Sequence, residues 1–242
     1  MTSPLFQDFE ERSREVRQYF IFLKSLENGS TKLCMQHETS QGKKRNRTVQ
    51  INSELIKTLK ASGFLLLYNL AEATMRNAIE AIFDEIQGKG ISYDRIRPEL
   101  KKIVLQNIKK KEIKRILPQI TNISIDIINV GLKKDNIFSG NIDGRLIKIT
   151  AQEYGFSCQT NSQKTGNGID LKTVKEKRNA LAHGFQSFAE IGREKSAQEL
   201  YDIQKKVVKY LKEILENINI YISNKEYLDR PSNTGSDSSN MV

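Results

Sequence analysis

Apolar residues recur every three or four positions along most of this chain, a period that predicts helices rather than strands. Phe9, Val16, Tyr19, Phe20, Leu23 and Leu26 form such a stripe between residues 5 and 27, and Asn28-Gly29 ends it. Ser53 and Glu54 open a long helical stretch that runs to Gln87-Gly88. Its stripe of Leu67, Leu70, Ala71, Ala78, Ile79, Ile82 and Phe83 is wide enough for a central core helix. Ser139-Gly140-Asn141-Ile142-Asp143 reads as a helix start capped by Asp143 or Asn141, with the helix reaching Tyr154. A further helix spans 169–183, and Ser196-x-x-Glu199 is a capping box opening a last helix to Asn224. The buried seam of that last helix is Leu200, Ile203, Val207, Leu211, Ile214, Ile218 and Ile222.

The pattern breaks in four places. Residues 30–52 are mixed and basic, which predicts a loop with room for a short hairpin ending at Val49–Ile51. The β-branched stretch 120–130 fits strand and helix equally. Residues 157–168 (SCQTNSQKTGNG) read as a polar loop. From Asp229 the tail lacks the apolar residues that ordering requires. The fold class is therefore all-α, a bundle of long antiparallel helices with a small β-hairpin insertion. One domain covers 1–228, and 229–242 is a disordered polar tail.

Composition narrows the partners. With 39 basic and 29 acidic side chains the formal charge is +10, which favours polyanions such as nucleic acid. Cys34 and Cys158 form no CxxC pair, so neither a disulfide framework nor a zinc site is expected. No apolar run approaches the ~18–20 residues of a membrane span, and the N-terminus turns acidic too early for a signal peptide. These features describe a cytoplasmic protein with no membrane contact. The most basic stretch is 97–117, where Lys101, Lys102, Lys109, Lys110, Lys111, Lys114 and Arg115 surround an apolar stripe ahead of Pro118. Such lysines usually form a solvated face; at this net charge they are also a candidate RNA-backbone surface.

Candidate chemistry concentrates in Arg178-Asn179-Ala180-Leu181-Ala182-His183-Gly184. Histidine moves a proton near neutral pH, and arginine grips a phosphate with a planar fork of donors. On a regular helix Arg178 and His183 point roughly 140° apart, whereas Asn179 and His183 share a face. Asn179 is thus expected to hydrogen-bond the imidazole and fix its tautomer. One chain supplies one such His–Arg pair; two copies at a symmetric interface supply a base, an acid and two phosphate clamps. No cluster of carboxylates, histidines or cysteines has metal-ligand spacing, so the expected route is metal-free and needs no cofactor. Glu72, Arg76 and Glu80, four apart, read first as an intrahelical ion-pair ladder; Glu72, Arg76 and Asn77 are also candidates to support the cleft. A lone histidine beside Ala and Leu is more often a helix-end residue than a catalyst, and His37 reads as a surface residue. Gly166-Asn167-Gly168 lacks the preceding strand and following GK[ST] of a phosphate loop.

Several blocks together resemble one family. They are Leu65 to Leu70 through Glu72 to Arg76-Asn77, Phe138 to Asp143, Lys175 to His183, and Ser187 to Gly192. In these the chain is similar to the HEPN superfamily, and within it to the bacterial MAE-type HEPN-like nuclease family, over most of residues 1–226. The resemblance implies an all-α HEPN bundle that forms a homodimer with its motifs facing each other. It also implies a metal-independent endoribonuclease serving toxin–antitoxin or anti-phage defence, held by a cognate antitoxin or operon partner. Arg178 and His183 match the family's catalytic pair and Asn179 its following polar residue. A non-catalytic HEPN module that binds a nucleotide or a partner protein is the alternative. A DNA-binding regulator, with residues 140–156 as part of a helix-turn-helix, is a third reading; against it, Gly144 and Gly155 bracket only one short helix and no second recognition helix is legible.

Overall fold

The computed structural model describes residues 4–38, 44–49, 51–111, 123–132, 138 and 140–229. The helical period in the sequence becomes a bundle around one long helix. Helix α1 (Pro4–Glu27) leads through the antiparallel hairpin β1 (Leu33–Glu38) and β2 (Lys44–Val49), with Leu33 opposite Val49, into α2 (Ser53–Gly88). Then follow α3 (Pro98–Lys109), α4 (Ile123–Gly131), α5 (Gly144–Tyr154), a short α6 (Ser162–Thr165), α7 (Asp170–Ala182), α8 (Phe188–Arg193) and α9 (Ala197–Ser223). No helix among the described residues is long and apolar enough to cross a membrane.

Helix α2, 36 residues long and so about 54 Å at 1.5 Å per residue, is the spine against which α1, α7, α8 and α9 pack. The whole expected stripe from Leu67 to Phe83 is buried. Helices α1 and α2 run antiparallel. Phe20 sits against Gly63, where a Cβ would meet its ring at 2.9 Å. Near one end Asn77 bonds Asp8 at 2.8 Å, and at the other Lys60 pairs with Glu27 at 2.8 Å. Glu27 also accepts the backbone N–H of Ala197 at 2.5 Å, so one carboxylate ties the end of α1 to α2 and to the start of α9. Both α8 and α9 begin with a capping box, Ser187–Glu190 and Ser196–Glu199. The closest approach is at Gly192, where a Cβ would lie 2.0 Å from the Lys57 carbonyl oxygen. Only a residue without a side chain lets α8 lie on α2 at that distance.

The structure refines several expectations. Helix α2 opens at Ser53 as expected, and Asn52 caps it, its side chain accepting from the Glu54 N–H at 2.9 Å. Asp143 is the cap of α5, accepting from the Leu146 N–H at 2.8 Å. The ambiguous stretch resolves as helix over Ile123–Gly131, where close packing on α3 leaves no room for a Cβ at Gly131 beside Val104. Of residues 157–168, expected to be loop, 157–161 are loop, but 162–168 fold into α6 and a 3-10 turn at Gly166–Gly168. Their polar side chains satisfy the local backbone: Asn161 accepts from the Lys164 N–H at 3.1 Å, and Thr165 accepts from the Asn167 N–H at 3.1 Å. A pattern of apolar residues cannot reveal helices held by side-chain-to-backbone bonds. Residues 112–122 and the tail from Arg230 lie outside the described residues, so the end of the basic stretch near Pro118 and the expected disorder of the tail are not described.

Candidate functional site

The two sequence blocks 140–143 and 175–179 are the two sides of one hydrogen-bonded strip. On α7, Lys175, Arg178 and Asn179 are three and four residues apart and share a face. Lys175 Nζ pairs with Asp143, the Arg178 guanidinium donates to the Gly140 carbonyl, and Asn179 Nδ2 donates to Asn141 Oδ1 at 3.2 Å. Gly140 has φ of 79°, a left-handed conformation cheap only for glycine, and this turn precedes the Asp143 cap. Burial pushes the Asp143 carboxyl up, but the hydrogen bonds from Lys175 and the Leu146 N–H outweigh it and hold the group below its ordinary value.

Arg178 is seated on a second element as well. Its Cζ lies 3.6 Å from the centroid of the Tyr68 ring on α2, within the range of a cation–π contact. The Tyr68 hydroxyl accepts the backbone N–H of Ile142 at 3.2 Å. Burial lifts the Tyr68 phenol above its ordinary value. One aromatic ring therefore fixes both the arginine and the loop that bonds it. Arg178 Nε and Asn179 Oδ1 are buried without a hydrogen-bond partner.

Around this seat runs a groove of about 450 Å³ lined by Arg12 of α1, Tyr68, Glu72, Arg76 and Asn77 of α2, and Arg178 of α7. Arg76 bonds Glu72 at 2.8 Å, and Arg12 Nε bonds Asp8 at 2.9 Å. Asn77, bonded to the same Asp8, closes the α1 side. Glu72, Arg76 and Asn77, expected as supporting residues, do stand beside Arg178. Arg12, Asp8 and the part played by Tyr68 were missed. Their signal was present: Tyr68, Glu72 and Arg76 are four apart on one line of α2, as are Asp8 and Arg12 on α1.

His183 is placed differently. It is the C-cap of α7, with φ −95° and ψ 0°. Gly184 follows with φ of 69°; its N–H reaches Leu181 O at 3.2 Å, and the Phe185 N–H reaches Ala180 O at 2.9 Å. These paired bonds are a Schellman motif, which explains the glycine after the histidine. His183 is exposed and lies outside the lining of the Arg178 groove. Its ring stands 5.6 Å from that of Phe185, which is 79% exposed. The expected bond from Asn179 to the imidazole is not made. The Asn179 amide turns to Asn141 instead, and its oxygen has no partner, because the 140–143 turn reaches that face of the helix first.

None of the described residues of the basic stretch lines the groove. The helix of that stretch, α3, packs on α4 and α5. Lys102, Lys109 and Lys110 are exposed. Lys101 instead pairs with Asp229 at 3.0 Å and Lys111 bonds the Val130 carbonyl, so both hold the fold. Lys114 and Arg115 lie outside the described residues, as does the His37 side chain. Among the described residues no three His, Cys, Asp or Glu side chains gather at one point.

The described residues thus form a helical bundle with an arginine-lined groove and a histidine capping the helix that bears one of those arginines. The model of the HEPN_MAE_28990-like HEPN family matches residues 1–227, and the chain belongs to that family. No curated protein and no solved structure matches it.

Proposed function

We propose that this protein is a metal-independent endoribonuclease of the HEPN type, working as the effector of a toxin–antitoxin or anti-phage defence system. The observation that carries this reading is the state of the two motif ends in a HEPN-family chain. Arg178 is held by Tyr68 and Gly140 in a groove rich in guanidinium groups, while His183, five residues on, is exposed with its ring beside that of Phe185. In RNA the nucleophile is the 2′-OH of the substrate itself. His183 takes the 2′-OH proton as the oxygen attacks phosphorus, and a second imidazole returns a proton to the departing 5′-oxygen. The products are a 2′,3′-cyclic phosphate and a 5′-OH. Arg178 offsets the charge that builds on the phosphoryl oxygens. Because one chain carries one such histidine, the second acid–base group comes from a second copy in a homodimer.

The alternative, a HEPN module that binds without turnover, draws on the same seat. The Arg178 side chain already serves the fold through Gly140 and Tyr68, and Asn179 does not orient His183. Cleavage of total RNA in EDTA by the purified protein, beside His183→Ala, separates the two. The expected outcome is fragments ending in 2′,3′-cyclic phosphate from the wild type, reduced by roughly 10²–10⁴-fold in the variant. A folded dimer that binds RNA and cuts none supports the module. Equal cutting by both proteins removes His183 from the mechanism.

A further inference from the structure

We infer that the groove between α1, α2 and α7 is a track for the sugar–phosphate backbone of single-stranded RNA, in which Arg12 and Arg76 grip the phosphates beside the one held at Arg178. The inference rests on RNA being the ligand of this protein. Three guanidinium groups line one groove of about 450 Å³, a size within the ~300–1,000 Å³ of ordinary ligand sites. They come from three different supports: Arg178 of α7 lies over the Tyr68 ring, the Arg76 guanidinium on α2 lies on Glu72, and the Arg12 guanidinium on α1 lies on Asp8. Separately seated cations are what a chain of phosphates needs and a single phosphate does not.

Each of the two additional arginines is aimed by a carboxylate and keeps donors to spend. Arg12 bonds Asp8 through Nε, and Arg76 bonds Glu72 through one terminal nitrogen. A guanidinium has five N–H donors, so a fork remains on each, and its orientation cost is already met within the fold. Asp8 is itself held by Asn77 at 2.8 Å, which keeps Arg12 and Arg76 on facing walls. The Arg12 and Arg76 side chains are 43% and 45% exposed, so a phosphate can reach both. Beyond Arg12 and Asn69 the groove adjoins a second cavity of about 230 Å³, largely apolar, with Val16, Tyr19, Leu66 and Leu70 in its walls and Glu15 at its edge. That apolar end suits a base turned out from the backbone, with the Asn69 amide at its edge.

The test is fluorescence anisotropy with a 5′-fluorescein-labelled 12-nucleotide single-stranded RNA. All proteins are the full chain carrying His183→Ala, so that the probe stays intact. Arg12→Gln/Arg76→Gln is compared with Lys172→Gln/Lys206→Gln, which removes the same charge from exposed positions outside the groove. The groove pair is expected to raise Kd about tenfold or more and to lower the salt slope by about 1.4, at ~0.7 per phosphate contact on a single strand. The control pair shifts Kd less than about threefold. Equal Kd values for the two pairs, or no binding by the parent, overturn the track. Should the double variant not fold by circular dichroism, Arg12→Gln alone reads about half the change in slope. RNA cleavage by the protein without His183→Ala is scored separately: loss of binding in the groove pair without any cleavage sinks the nuclease reading and keeps the track.

Discussion

Replacing Tyr68 dissects the site, because its ring and its hydroxyl do different work. Tyr68 is 5% exposed and Ile142 is fully buried, so Tyr68→Phe strands the Ile142 N–H that the hydroxyl accepts at 3.2 Å. An unsatisfied buried donor costs about 1–3 kcal/mol. At roughly 2–4 °C per kcal/mol for a domain of this size, the melting temperature falls by about 2–12 °C. Tyr68→Leu loses this and also the contact to Arg178, worth about 0.5–2 kcal/mol for a partly desolvated cation–π pair. Two double-mutant cycles with Arg178→Ala, read by urea denaturation, isolate the second loss. The Leu cycle is expected to give a coupling of about 0.5–2 kcal/mol and the Phe cycle close to zero, since phenylalanine keeps the ring face. A Leu coupling under about 0.3 kcal/mol, within the scatter of independent sites, would falsify the claim that Tyr68 seats the arginine. Equal stability of Tyr68→Phe and wild type would remove the hydroxyl from the account of the 140–143 turn.

Gly192→Ala places a Cβ against the Lys57 carbonyl oxygen at 2.0 Å and is expected to cost about 1–3 kcal/mol or more. Gly88→Ala, with nothing within 4 Å, should gain up to about 1 kcal/mol. Similar melting temperatures for the two variants would contradict the close seat of α8 on α2. The Asp143 carboxyl is held below its ordinary value in the folded chain. It therefore contributes stability above the unfolded pKa of about 3.9, and this is lost as pH falls through the lower folded value. Asp143→Asn should flatten the acid limb of the pH–stability curve, and an unchanged limb would mean that Lys175 does not hold the carboxylate. RNA cleavage should persist in excess EDTA and fall with His183→Ala; dependence on added divalent metal would defeat the metal-free mechanism.

How much of this was legible depended on the range of the interaction. The stripe from Leu67 to Phe83 and the Ser196–Glu199 box were readable because a helix repeats every 3.6 residues and a cap lies within four residues of its partner. The Arg178 motif was readable as a pattern, the bundle followed from periodicity, and the room for a hairpin before α2 showed where that period broke. The α6 turn was not, since Asn161 and Thr165 stabilise it through polar bonds that leave no apolar period. The assignment of Asn179 to the imidazole failed for a related reason. Sharing a helix face with His183 makes a bond geometrically open, but a loop 38 residues away competes for the same amide.

The sequence by itself determined the long helices, the caps at Asp143 and Ser196, the polyanion-favouring charge and the residue types available for chemistry. All of these depend on neighbours a few positions apart. The tertiary structure alone decided which of those residues meet. Arg178 is seated by Tyr68 and Gly140, and Asp8 and Arg12 face Asn77 and Arg76 across the α1–α2 seam. These partners are 38 to 110 residues apart in the chain, and no local period encodes such distances. They are set by burial of the α2 stripe, which fixes how α1 and α7 lie on the spine and so brings three arginines to one groove.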